Sequence, residues 1–198
     1  MPKNLETVIR SQLVDAGRSL AATARLAPKI AQAARILLAA YQRGNKALIF
    51  GNGGSASDAQ HFAAELVGRF DRNRPPLPAL ALTVNASNLT AIANDFGLDQ
   101  MFSRQLEAQA RPGDVAVAIS TSGNSKNVLH AAAKARSLGL PVIGLTGGKG
   151  GKLASAADIC LRVPSAHTAR IQESHIAIIH LLCGLIEDGL FPNSPKAH

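Results

Sequence analysis

Five short apolar runs, at residues 47–50, 79–84, 115–119, 141–145 and 159–163, alternate with stretches of helical periodicity. Strands that are apolar on both faces cannot lie on a half-wetted antiparallel sheet. They read as a parallel sheet covered by helices on either side. Three loops of small residues follow strands, at 51–55, 120–125 and 146–151. In such sheets ligands bind beyond the carboxyl ends of the strands, where the strand order reverses. The alternation therefore predicts both a fold class and the edge at which a site would lie.

The helices between the strands are expected from Ser55 to about Arg69, from Ser87 through Asn94, from about Met101 to Ala110, from about Ser125 to Leu138, near Leu153, and from Thr168 to about Gly189. Upstream, residues 5–42 read as two helices broken near Pro28. Leu13, Leu20, Ala24 and Leu26 make a loose stripe on the first, and Ile30, Ala33, Ala34, Leu37, Leu38 and Tyr41 a regular one on the second. Gly44-Asn45 ends the second helix. Their apolar surface exceeds what one domain face needs, which points to packing against another subunit. No repeat or linker divides the chain, so one domain is expected over 1–198, with a helical arm at 1–45 and a sheet core at 46–198.

The charge pattern narrows the partners. The 198 residues carry a formal net charge of +8, but the basic residues form no run and only 4% of residues are aromatic. Dispersed charge without stacking residues argues against a nucleic-acid surface and fits attraction of an anionic substrate. Cys160 and Cys183 sit in apolar surroundings and read as buried thiols. There is no signal-peptide core and no apolar run of membrane length, so a cytoplasmic protein without membrane contact is expected.

Two stretches could carry chemistry. Gly51-Asn-Gly-Gly-Ser55 joins a strand to a helix start, a natural anion-binding turn. Ser55 with Asp58 three positions later has the spacing of a capping box. His61 and Glu65, four apart, share one helix face. The ordinary alternative is a tight turn with a solvated pair. The second stretch, Ser120-Thr-Ser-Gly-Asn-Ser125, places four hydroxyls between a strand and a helix N-terminus, where backbone N–H groups and the helix dipole favour a phosphate. It lacks the Gly-Lys-Ser/Thr ending of a nucleotide-triphosphate loop, so a monophosphate fits better. In the last helix, Gln172 and His180 lie about 80° apart around the axis and share a broad face. His130, His167 and His175 have no evident partner and read as ordinary surface or core residues.

Gly51-Asn-Gly-Gly-Ser-Ala, Ala59-Gln-His-Phe-Ala-Ala-Glu65, Thr90-Ala-Ile-Ala-Asn94-Asp95-Phe-Gly, Ser120-Thr-Ser-Gly-Asn-Ser125 and Ala169-Arg-Ile-Gln172-Glu-Ser-His…His180 together resemble the sedoheptulose 7-phosphate isomerases of the sugar isomerase (SIS) domain group. The resemblance covers nearly the whole chain in order and spacing. It implies a three-layer, flavodoxin-like α/β fold with a five-stranded parallel sheet and two N-terminal helices, assembled as a homotetramer with sites near subunit interfaces. The implied reaction converts D-sedoheptulose 7-phosphate to D-glycero-D-manno-heptose 7-phosphate, the first step toward nucleotide-activated heptose for surface polysaccharide. A zinc ion, one per subunit, is implied at His61, Glu65, Gln172 and His180.

Moving a carbonyl from C2 to C1 requires a base for the C1 proton and a second group for the oxygens. The expectation is Glu65 as base and His180 as acid/base. Ser120, Thr121, Ser122 and Ser125 hold the phosphate, while Ser55, the backbone of Asn52, Gly53 and Gly54, and Asn94/Asp95 orient the sugar. Zinc could polarise the carbonyl or order the site. The chain departs from the family at Val84-Asn85, where members often carry Thr-Asp. Two other readings share the fold: the DnaA-initiator-associating proteins, tetrameric replication scaffolds that lack counterparts of Glu65 and His180, and the sugar-phosphate-sensing domains of transcription regulators, which need an added DNA-binding module.

Overall fold

The computed structural model describes residues 4–196. Its five strands are β1 (Ala47–Gly51), β2 (Ala79–Ala81), β3 (Val115–Ile119), β4 (Val142–Thr146) and β5 (Ile159–Arg162). All pair in parallel, in the order β2-β1-β3-β4-β5. This is the expected flavodoxin-like order, with its reversal between β1 and β3. Every residue of β1, β3 and β4 is buried, as strands covered on both faces must be. Among the described residues the α-helices are α1 (Leu5–Thr23), α2 (Ala27–Gln42), α3 (Gly54–Val67), α4 (Ala86–Phe96), α5 (Ser103–Gln109), α6 (Lys126–Ser137), α7 (Leu153–Ala156) and α8 (Thr168–Leu190).

The twofold period of the strands sorts the core into two layers. Ile49, Val117 and Ile119 point to one side, with Leu37 of α2, Phe62 and Leu66 of α3 and Ile178 and Leu182 of α8. Leu48, Phe50, Ala116 and Ala118 point to the other, with Leu106 of α5, Val128 and Ala132 of α6 and Leu153 of α7. Thus α2, α3 and α8 lie together on one face. Helix α2 is part of this layer through Ile30, Ala33, Ala34, Leu37, Ala40 and Tyr41, whereas α1 buries only Thr23 and packs along α8. The break between the two N-terminal helices is a 3-10 turn at Ala24–Leu26, and Pro28 sits in the first turn of α2, where a missing N–H costs nothing.

Local chemistry differs from the sequence expectation in three places. Helix α3 starts one residue earlier than expected: Gly53 is its N-cap at φ 54°, and no side chain caps it. Ser55 is buried with its backbone N–H on the Asn52 carbonyl at 3.0 Å, and the capping box with Asp58 does not form. Strand β2 ends at Ala81, not residue 84, because the chain turns at Leu82 after a last bond from the Leu82 N–H to the Ile49 carbonyl. Helix α4 starts at Ala86, capped by the Asn85 side chain, which accepts from the Asn88 N–H at 3.0 Å. Asn and Asp cap equally well, so the departure at Val84-Asn85 leaves this turn intact.

Candidate active site

The register pairs Gly51 with Ile119, so the loops after β1 and β3 emerge side by side at the reversal point. Ser120 organises the second loop. Its Oγ lies 3.1 Å from Ser125 Oγ and 3.5 Å from Ser122 Oγ, and it accepts from the Gly123 N–H at 3.2 Å. Ser125 is the N-cap of α6 but makes no side-chain cap bond; its hydroxyl turns to Ser120 instead. Ser122 Oγ accepts from the Asn124 N–H at 3.1 Å. Three of the predicted hydroxyls therefore converge at a helix N-terminus, the arrangement expected of a phosphate cradle. Thr121 contributes its carbonyl, which accepts from Gly147 N–H at 2.9 Å, and thereby ties in the loop after β4. Gly123, at φ 66°, presses against the Gly150 carbonyl, so no side chain fits there.

An amide pair joins the first loop to α6. Asn52 Nδ2 donates to Asn127 Oδ1 at 2.8 Å, and Asn127 Nδ2 returns a bond to Asn52 Oδ1 at 2.9 Å. This pairing uses the Asn52 side chain to hold the turn in place. Asn127 escaped the sequence reading. Its signal was a polar residue in the first turn of α6 at a position that turned out to be buried.

Helices α3 and α8 bring together the groups with acid–base capacity. His61 Nε2 is 2.9 Å from Glu65 Oε1, and the His180 ring lies edge-on to His61 with centroids 5.2 Å apart. One ring nitrogen from each histidine and a Glu65 oxygen all lie within 4.8 Å of one another. Imidazole nitrogens and a carboxylate are the donor types of a zinc site, so these three residues suit one divalent ion. Gln172, two turns before His180, packs its amide against the Gly54 backbone, leaving no space for a Cβ there. It thus bridges the glycine turn and the last helix. Asn94 and Asp95 are not part of this grouping. They stand exposed at the end of α4, and their recorded side-chain hydrogen bond is to one another, Asn94 Nδ2 to Asp95 Oδ1 at 2.7 Å.

The surrounding charges have clear causes. Asp58 has an oxygen without a partner, and loss of hydration raises its pKa to about 6, against the pull of His61. His175 is fully buried; desolvation lowers it to about 4, so it is a neutral core residue bonded to the Thr146 carbonyl. Burial raises the Cys160 and Cys183 thiols, in keeping with inert core cysteines. Beneath the site, Arg74 and Glu187 form an ion pair at 2.9 Å with side chains almost wholly buried. Arg74 also donates to the Glu65 and Leu66 carbonyls at 2.8 and 2.6 Å. The Glu187 carboxylate accepts three backbone N–H groups, of Phe70, Asp71 and Arg72. Neither residue was legible as a pair, for they lie 113 positions apart.

The five-stranded parallel sheet with these loops at its reversal point is that of a SIS domain, and the SIS domain family model matches residues 14–147. A phosphoheptose isomerase of Rhodospirillum rubrum is 59% identical over 164 residues, 83% of this chain and 87% of that protein. Another, from Akkermansia muciniphila, is 49% identical over 92% of this chain and 97% of its own length. The solved phosphoheptose isomerase of Neisseria gonorrhoeae superposes with a TM-score of 0.89 at 44% identity, covering 93% of this chain and all of that one. The chain belongs to the phosphoheptose isomerase family of SIS-domain proteins.

Proposed function

We propose that this chain converts D-sedoheptulose 7-phosphate to D-glycero-D-manno-heptose 7-phosphate, an intramolecular oxidoreduction that opens the route to nucleotide-activated heptose and polysaccharide precursors. The observation that carries the reading is the His61–Glu65–His180 group, two of whose members lie on the helix that leaves the glycine turn, with the serine cradle on the neighbouring loop of the switch point. A replication scaffold of this fold has no need of such a group.

Glu65 takes a proton from C1 of the open-chain ketose, and the C–H electrons form the C1=C2 bond of an enediol. His180, protonated, gives its proton to O2 as the C2 carbonyl opens. The neutral imidazole then takes the proton from O1, C1=O forms, and Glu65 returns its proton to C2. Atoms and electrons balance within the sugar. Ser120, Thr121, Ser122 and Ser125 bind the phosphate, and binding energy at that remote end is available to orient C1 and C2. Asn52, Gly53, Gly54 and Ser55 contact the sugar end. With both imidazoles neutral, His61, Glu65, Gln172 and His180 would hold one zinc ion per subunit, which when bound would supply carbonyl polarisation in place of the imidazolium, or order the four side chains.

A homotetramer completes this picture. Leu5, Val8, Ile9, Leu13 and Val14 of α1 are exposed, and an apolar groove of about 550 Å³ between α1, α2 and α8 is lined by Leu20, Ile30, Leu181 and Leu185. Asn94 and Asp95 stand exposed and outside the His61–Glu65–His180 group within one chain, which supports their serving the sugar of a neighbouring subunit's site. A phosphorylated substrate, free cysteines and no described helix long and apolar enough to cross a membrane support action in the cytoplasm. The test incubates the protein with sedoheptulose 7-phosphate and follows aldose formation by NMR. Glu65→Gln and His180→Gln should each lower kcat about 1,000-fold. No conversion by the parent, with or without zinc, sinks the reading; equal turnover by the variants sinks the roles.

A further inference from the structure

The clamp beneath the site holds one aromatic ring that the chemistry above does not use. Phe70 stacks on the His180 imidazole, with centroids 5.4 Å apart and planes 29° from parallel. The same ring lies over Gly184, one turn further along α8. Its backbone is not free to wander. The Phe70 N–H donates to Glu187 Oε1 at 2.9 Å, and the Asp71 and Arg72 N–H groups donate to Oε2 at 2.8 Å each. Arg74 neutralises that carboxylate and is itself bonded to the Glu65 carbonyl. A continuous line of contacts thus runs from the backbone of the base, through Arg74, Glu187 and Phe70, to the ring of the acid/base. A surface turn could satisfy those N–H groups with water; here a buried carboxylate fixes all three.

We infer that Phe70 is a positioning residue for His180, and that the Arg74–Glu187 pair is the clamp that aims it. The inference rests on the isomerase reading of the site. An imidazole on a helix has a broad χ2. Phe70 across one face and His61 edge-on restrict it to the orientation in which it can serve two neighbouring oxygens. A misplacement of about 1 Å in such a transfer costs on the order of 100-fold in rate.

The test compares Phe70→Leu, which removes the ring and spares the ion pair, Phe70→Tyr, which keeps the ring, and the double variant Arg74→Met with Glu187→Leu. Phe70→Leu should lose about 10- to 100-fold in kcat on sedoheptulose 7-phosphate with KM within about twofold, because the serine cradle lies on other loops. Its zinc affinity, measured by competition with a chromophoric chelator, should fall about tenfold. Phe70→Tyr should keep at least about half the parental kcat. The double variant removes both buried charges together, which avoids an unpaired charge, but it also strips three backbone N–H groups of their acceptor, so it should be less stable than the parent; its kcat should fall as in Phe70→Leu, since Phe70 is no longer aimed. If the double variant does not fold, the two Phe70 variants decide. Parental kcat and zinc affinity in Phe70→Leu, a loss carried by KM alone, or parental kcat in a folded double variant overturns the inference. A parent that binds zinc but converts no sugar overturns the isomerase reading alone, and the zinc measurement then decides the positioning role. A parent that does neither overturns both.

Discussion

Helices α3 and α4 each follow a strand and each carry residues assigned to the site, but they are finished differently. Helix α3 buries Ser55, Ala59, Phe62 and Leu66, and its other flank meets α8, so His61 and Glu65 find His180 within one chain. Helix α4 buries nothing, exposes Phe96, and packs mainly on the short turn at Leu98–Gln100. Its Asn94 and Asp95 have found only one another. The acid–base half of the site is thus rigid by virtue of the fold. The part of the proposed site on α4 depends on what covers that helix.

Breaking the α3–α8 side should have the largest effect. Glu187→Ala leaves Arg74 as a buried, unpaired charge and strips three N–H groups of their acceptor, which should cost about 3–5 kcal/mol in urea unfolding. Acid should attack the same layer. The folded pKa of His175 lies below its unfolded value of 6.5, at about 4, so the unfolded state binds a proton that the folded state refuses. Stability is then lost as the pH falls from about 6.5 to 4, by about 3 kcal/mol for this residue. A His175→Leu variant should lack that part of the acid slope in unfolding measured across the range.

The α4 side should respond in the opposite sense, with function lost and stability kept. Asp95→Ala should lower turnover about tenfold while unfolding stays within about 0.5 kcal/mol of the parent. Mixed with inactive Glu65→Gln chains and allowed to exchange subunits, it should regain up to about a quarter of full activity, since some sites then pair an intact Glu65 with an intact Asp95. No recovery would place Asp95 and Glu65 in the same chain's site and remove the contrast. The smallest effect falls on α3. Asp58 has a raised pKa because burial disfavours its charge, so its ionisation opposes folding as pH rises from 3.8 through about 6. Asp58→Asn should stabilise the protein at pH 7–8 by less than about 1 kcal/mol, after allowance for solvent reaching this half-exposed group, and the gain should vanish below about pH 4.

Residues local in sequence were the readable ones. The β3 bounds, the serine loop and the His61–Glu65 spacing each follow from a pattern within a few positions. The Ser55 cap failed because the glycines of this turn let the helix start earlier, at Gly54, with Gly53 as its cap. Asn127, Phe70, Arg74 and Glu187 were missed because each acquires its role from a partner on another element.

Alternation of apolar runs with helical periods determined the parallel sheet and the loops that could hold a phosphate, since burial on both faces leaves few other ways to fold such a chain. Motif order pointed to the reaction. Only the tertiary structure decided which polar groups meet. It stacked Phe70 on His180, closed Asn52 onto Asn127, sank an ion pair between α3 and α8, and left α4 outside. Those outcomes depend on which faces pack together and on the need to pair every buried charge, and neither is written in the spacing of residues along the chain.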